Sequence, residues 1–548
     1  MPQLPHCRKT SLPDYQRLHE GDCALHAQVI SNPIVPPLTY AEAIKRLDYP
    51  LWQKAMDTEI TQHNDLHTWD LVQLPPNRVA IGSRWVFAVK TNANGIFESP
   101  KARFVAQGFM QCPGQDYYDI TSPVVKMDSL RAILALGIQN NWEMHMMDVK
   151  GAYLNCPLDK EIYMHQPDSY NDGSNRVLRL RLALYGLKQA GRTWYQRLSN
   201  VLLDDGFTHS RVDECVFYKI HGNQVTIITI YVDDLGIFTS TKDLMARVKS
   251  LLSSKFTMKD LGQMTKILGI HVEINRNART VKLSQEVYID ILLHQYNFID
   301  ANPVDTPMTK DIKSLKPRTA NENAPDVPYA QVVGSLMYTA IASRLDIAFA
   351  VQQLSQFNQT FTEAHWTATK RVLRYLKGTR ELGITFHRIP NPTSLIIFVD
   401  ADFANQLDAK SIGGYALMYG GAIIAWNSKK QPRVALSTTE AEYMALTPAG
   451  KQLLWTQHLF HELAQNTREI AQMRCDNLQA ITNTYDPAYH TRTKHINIEY
   501  HWIRERIAFN KASLTYVKSE ENIADLMTKP LPRAQHNYLV QKLGMSMT

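Results

Sequence analysis

Residues 225–239 read VTIITIYVDDLGIFT, two apolar arms around an acidic two-residue centre, Asp233 and Asp234. Arms rich in β-branched residues about so short a break predict a tight β-hairpin. Carboxylates that close, flanked by Ile230, Val232 and Ile237, repel, and one is driven toward neutrality unless a cation sits between them. The plain alternative is an Asp-rich surface turn. A third carboxylate shifts the balance: Asp148 closes the apolar run WEMHMMDV, at another candidate strand end. Carboxylate oxygens are the ligands Mg²⁺ prefers, and paired ions clamp the attacking and leaving oxygens of phosphoryl transfer. The chain has no GxxxxGK[ST] or GxGxxG phosphate cradle; its nearest approach, AGKQ at 449–452, lacks the first glycine and the hydroxyl residue.

Outward from this hairpin, RWVFAVK and IFESPKARFVAQGF read as two strands joined by TNANG, with a turn at Asn94-Gly95. Helical spacing begins at Thr39 and recurs over 129–138, 190–203 and 328–380, while 303–325 is polar and irregular. Pro390 and Pro392 mark a boundary. Beyond it lies a fresh α/β pattern: a strand at 395–399, the hairpin GGYALMYGGAIIAW, a helix from Ser437, a strand at 470–475 and a helix from Asn477. Residues 1–38 end in NPIVPPL and read as a leader or linker.

Composition agrees with several globular domains: 548 residues, 44% apolar and 20% charged. A net charge of +7 permits a polyanionic partner without demanding one. Six scattered cysteines with no CxxC pair fit a reducing compartment. The N-terminus lacks the apolar core of a signal peptide, and no run suits a membrane helix. The expectation is a soluble intracellular protein.

A second set of acids lies in the last third. Asp400 ends SLIIFVD, Glu440 opens a helix in STTEAEYMAL, Asp476 ends IAQMRCD and Asp525 lies in ENIADLMTKPL. Each has a structural alternative. Ser437-x-x-Glu440 and Thr439-x-x-Glu442 are both capping boxes, Asp476 could cap the next helix, and Asp525 with Glu521 could form a solvated face. In TATKRVLRYLKGTR (367–380), Lys370, Arg374 and Lys377 form one basic helix stripe, suited to following phosphates or simply solvated. Lys101 and Arg103 share one strand face, which suits a grip on a triphosphate.

YVDD (231–234), MDVKGAYLN (147–155) and LYGLKQAGRTWY (184–195), with SRWVFAVK, KARFVAQGF, EIYMHQP and ILGIHVEI, resemble the reverse transcriptases of Ty1/copia-type LTR retrotransposons. FVDADFA, RCDNLQAI, the GGYALMYGGAIIAW segment, RTKHINIEYHWIRE and ENIADLMTKPL resemble the ribonuclease H domain that follows in that family. The resemblance runs from about Thr39 to Leu531. It implies an α+β right-hand polymerase (fingers, palm, thumb), followed by a helical connection and an α/β ribonuclease H-like domain. The corresponding expected spans are 39–310 for fingers, palm and the start of the thumb, 311–390 for thumb and connection, 391–534 for the ribonuclease H domain, and 535–548 as a tail.

The same resemblance implies RNA-directed DNA polymerase activity, also on DNA templates, with ribonuclease H cleavage of hybrids. Asp148, Asp233, Asp234 and the carbonyl of Val149 are the implied metal ligands of the palm; Asp400, Glu440, Asp476 and Asp525 are those of the ribonuclease, with Asp402 and Glu442 as near alternatives. Two Mg²⁺ per site are implied, with Mn²⁺ as a substitute. Tyr153 matches the aromatic position that excludes a ribose 2′-hydroxyl, and Gly186 lies where the family's loop approaches the nascent base pair. Implied partners are RNA template, DNA primer, RNA–DNA hybrid, deoxynucleoside triphosphates and integrase, in a cytoplasmic virus-like particle or the nucleus. His495 and His501 belong to the RTKH…YH signature without a derived role. Three departures stand out: Cys156 where Gly is common, Gly191 where Pro is common, and Asp119-Ile120-Thr121 in place of an ETF-like run. They leave open a decayed or co-opted copy that binds nucleic acid without catalysis.

Overall fold

The computed structural model describes residues 35–91, 97–390, 394–463, 470–485 and 498–547. The turn at Asn94-Gly95, Pro392, His495, the side chain of His501 and most of the leader lie outside the described residues. The chain divides into two compact units: one joins Cys156–Ala190 to the chain up to Ile120, and the other joins Thr121–Asn155 to the chain from Gly191 onward.

In the first unit the strands Ser83–Thr91 and Phe97–Ala106 pair antiparallel, Trp85 opposite Phe104, as the β-rich runs predict. The helix Tyr49–Asp65 packs on this ribbon, and Trp52 meets Phe87 edge to face at 5.4 Å. Pro50 sits in that helix's first turn, where a missing N–H costs nothing. A three-stranded sheet, Trp69–Val72, Val177–Leu182 and Pro157–Met164, completes the unit.

Among the described residues, the second unit holds three sheets. One sheet has six strands: Met258–Gln263, Glu143–Val149, Asp234–Thr239, Gln224–Tyr231, Val216–His221 and Thr208–His209, in that order. Its central strands are almost wholly buried, and the helix Met127–Gln139 is buried on nearly every face, which explains its continuous apolar run. Residues 303–325 hold one short 3₁₀ turn, Ile312–Ser314, and the helices Tyr329–Ala342, Ala348–Ser355 and Glu363–Gly378 follow.

The C-terminal sheet has the order Ala422–Lys430, Ile412–Tyr419, Ile396–Asp402, Ala471–Cys475, Ala512–Tyr516. Its first three strands are antiparallel and its last two join in parallel, with the 25-residue helix Thr438–Glu462 packed across it. Residues 535–548, expected as a tail, instead supply most of the helix Arg533–Lys542 and the short strand Met545–Ser546, which pairs with Gly383–His387. Leu539, Leu543 and Met545 are buried there, so apolar burial draws the segment into the fold.

Candidate metal-binding and catalytic centres

The first centre is made by strand register. Asp234 stands directly opposite Asp148 across the pair Asp234–Thr239/Glu143–Val149, so two carboxylates far apart in sequence meet at one sheet end. Asp233 lies in the turn between Tyr231 and Asp234, and the Val149 N–H donates to its carbonyl at 2.9 Å. All three acids are half-buried. Burial, then the charges of Asp148 and Asp233, raise the Asp234 carboxyl to about 6. Hard carboxylate oxygens crowded with like charge are a donor set that fits a divalent cation.

The turn itself is unusual. Val232 has φ +55°, a left-handed conformation that a β-branched residue rarely adopts. The Trp194 indole N–H donates to the Val232 carbonyl at 2.7 Å and pins it. Trp194 is fully buried on the helix Ala190–Asp204, so this one side chain braces the acidic turn. In the sequence, the one signal for this role is the tryptophan's spacing on an amphipathic helix.

Tyr153 sits half-buried on the 3₁₀ turn Ala152–Asn155 that follows Asp148. A β-carbon at Gly191 would lie 3.9 Å from the Tyr153 hydroxyl and 2.8 Å from Ser122 Oγ, so a larger residue there would crowd Ser122. In the other unit, Lys101 and Arg103 share a half-buried strand face. The Arg103 guanidinium stacks 4.4 Å over the Tyr185 ring. Gly186, at φ +93°, touches that strand's end: a β-carbon would lie 2.0 Å from the Ala106 carbonyl oxygen.

The second centre gathers Asp400, Asp476 and Asp525, with carboxylate oxygens within 4.8 Å of one another. Asp400 lies within the strand Ile396–Asp402, Asp476 just past its parallel neighbour Ala471–Cys475, and Asp525 in a buried 3₁₀ turn, Ile523–Met527, rather than a solvated helix. Of the expected Glu440 and its near alternative Glu442, the structure groups Glu442 with these acids. Glu440 is at the helix start, its N–H bonded to Ser437 Oγ and its carboxylate accepting from the Leu436 N–H at 2.8 Å. It therefore caps the helix. Glu442, buried on the inward face, groups with Cys475 and Asp476, and burial and the charges of Asp400 and Asp476 push its carboxyl well up. Asp402 is half-buried and bonded to Asn405, its carboxyl raised by burial.

Two more residues complete the centre. The Thr528 hydroxyl donates to Asp400, and the Lys529 ammonium lies 3.5 Å from Asp400 and 3.0 Å from Asp525. Burial and the Asp400 charge raise Asp525 to about 8. The i, i+4 spacing of Asp525 and Lys529 is the sequence signal for this pair. Lys370, Arg374 and Lys377 are half-buried on the helix Glu363–Gly378, and Arg374 already donates to the Asn302 carbonyl at 2.6 Å.

A family model described as reverse transcriptase (RNA-dependent DNA polymerase) matches residues 66–310. Those residues are thus similar to that family. The mixed helix-and-sheet architecture of the chain agrees with the α+β fold expected from the sequence. Over most of its length the chain is similar to Pol polyproteins of Ty1/copia-type transposons. It is 38% identical over 518 residues to that of transposon TNT 1-94 from Nicotiana tabacum, covering 93% of this chain and 39% of the relative. It is 39% identical to that of RE1 from Arabidopsis thaliana (92% and 34%) and 26% identical to Ty1-ER2 Gag-Pol from Saccharomyces cerevisiae (92% and 29%). The chain therefore spans about a third of the length of these relatives. A foamy viral protease–reverse transcriptase, solved with double-stranded DNA, aligns with TM-score 0.45 and 12% identity over 86% of this chain and 69% of that one. No described helix is long and apolar enough to cross a membrane.

Proposed function

We propose that this chain is an RNA-directed DNA polymerase, also able to copy DNA, whose C-terminal domain cuts the RNA strand of RNA–DNA hybrids. The observation that carries the reading is the register that sets Asp148 opposite Asp234 beside the turn acid Asp233, within a reverse transcriptase-family domain. In the polymerase the primer 3′-hydroxyl attacks the α-phosphate of a deoxynucleoside triphosphate and pyrophosphate leaves. Asp148, Asp233, Asp234 and the Val149 carbonyl would hold Mg²⁺ there. When bound, a pair of such ions supplies charge neutralisation at the attacking and leaving oxygens. Trp194, through the Val232 carbonyl, fixes the turn that presents Asp233.

Lys101 and Arg103 keep the role of gripping the triphosphate, Arg103 held in orientation by Tyr185. Tyr153 keeps the role of excluding the ribose 2′-hydroxyl, and Gly186 that of bringing its loop to the nascent pair. Asp400, Glu442, Asp476 and Asp525 form the hydrolytic centre, cleaving RNA with water as nucleophile. RNA template, DNA primer and hybrid duplex are the partners, with the 370–377 stripe following the duplex backbone.

Primer extension on an RNA template with Mg²⁺, followed by sizing of the RNA, tests the reading. Asp233→Asn is expected to abolish nucleotide incorporation and spare RNA cleavage, and Asp476→Asn to do the reverse. Loss of both activities in each variant would contradict two separate centres.

A further inference from the structure

We propose that Lys529 is the resident counter-cation of the C-terminal acidic centre and competes with a divalent ion for Asp400 and Asp525. This rests on the reading of that cluster as an ion site. The Lys529 ammonium bridges the two carboxylates, 3.5 Å from Asp400 Oδ2 and 3.0 Å from Asp525 Oδ1. Asp400 is 2% exposed and Asp525 6%, whereas the lysine side chain is 33% exposed. The lysine is thus more exposed than the two acids it bridges and occupies the oxygens that an ion between them would take. It is held there by local geometry: it follows Asp525 by four residues, and its neighbour Thr528 donates to Asp400.

Charge balance leads to the same place. Asp400, Glu442, Asp476 and Asp525 together are neutralised by two divalent ions alone. With the ammonium retained, the centre would carry net positive charge before any phosphate entered. One ion beside Asp476 and Glu442, with Lys529 serving Asp400 and Asp525, leaves a negative centre instead. The phosphodiester brings the charge that would make a second ion favourable, so Lys529 ties full ion loading to substrate arrival. It acts as a positioning residue, not a catalytic one.

The test uses the full chain with Asp148→Asn, Asp233→Asn and Asp234→Asn, so that the first centre takes up no ion, and Mn²⁺ binding followed calorimetrically without nucleic acid. Lys529→Met, which keeps the apolar stem, is expected to bind Mn²⁺ about tenfold more tightly. Lys529→Gln is expected to change in the same direction, which guards against misfolding of a single variant. Without ions Lys529→Met should melt below its parent, and saturating Mn²⁺ should close the gap. Unchanged or weaker Mn²⁺ affinity in both variants would overturn the assignment while the ion site stands. If Asp476→Asn in the same background leaves Mn²⁺ binding unaltered, the reading of the cluster as an ion site falls, and the assignment with it.

Discussion

At Gly186 the missing side chain decides whether two backbones can meet. Its φ is +93°, and a β-carbon would stand 2.0 Å from the Ala106 carbonyl oxygen, while the Ala106 N–H donates to the Tyr185 carbonyl at 2.8 Å. Gly173 has a similar φ, +74°, but open space around it. Gly173→Ala should therefore cost about 1 kcal/mol, the left-handed penalty alone. Gly186→Ala should cost about 2–4 kcal/mol, because backbone must also move. Urea unfolding of the two variants measures the difference, and equal losses would show that the close approach carries no weight. Single residues were also where the sequence was least legible. It supplied two capping boxes two residues apart, and only the packed helix shows that Glu440 turns back to its own cap while Glu442 faces Asp476. Val232 shows a similar limit, since nothing in YVDD announces that a valine accepts a positive φ under a tryptophan's hydrogen bond.

Elements were far more legible, because periodicity and turn residues are local. The acidic hairpin, the paired runs 83–91 and 97–106, and the C-terminal hairpin all lie where alternation and short turns predict them. The helix at 363–378 was legible too, but the condition of its first turn was not. There the Thr362 N–H donates to His365 Nδ1 at 3.1 Å, and the ring is buried against Phe357, 4.2 Å between centroids. Burial lowers the His365 pKa to about 4, and protonating Nδ1 would also remove the acceptor that the cap uses. Between the ordinary histidine value near 6.5 and 4, the unfolded chain binds the extra proton, so stability falls as pH falls through that window. The effect is on the order of 1–3 kcal/mol. His365→Gln keeps a capping-box acceptor and removes the titration. Its unfolding free energy should be flatter than the parent's between pH 6.5 and 4, and parallel curves would show that other groups set the acid response.

Across the whole molecule, the least predictable feature is how the C-terminal residues are tied to the helices before the last sheet. Arg344 and Asp346, both fully buried, form a two-pronged ion pair at 2.9 and 2.7 Å. The Tyr375 hydroxyl donates to Asp346 at 2.7 Å, Arg344 donates to the Thr379 carbonyl and hydroxyl, and the His536 ring stands 5.5 Å from that of Tyr375. One charged cluster thus joins the turn after 329–342, the helix 363–378 and the helix 533–542. Nothing local in SRLDIAFA or RAQHNYL indicates that these segments meet, since only the tertiary fold brings them together. Coulomb attraction in so dry a site is strong, but the cost of desolvating both ions is comparable, so the pair's net worth is small while an unpaired member is very costly. Arg344→Met or Asp346→Leu alone should therefore destabilise by about 3–5 kcal/mol, and the double variant by clearly less than their sum. Arg533 and Asp305, also 3.2 Å apart but 69% and 58% exposed, form the contrast. Arg533→Met should stay within about 0.5 kcal/mol of the parent. Chemical denaturation of the four variants decides the matter: additive losses at 344 and 346 would mean that each side chain acts through its own packing, and that charge pairing does not hold the C-terminal helix in place.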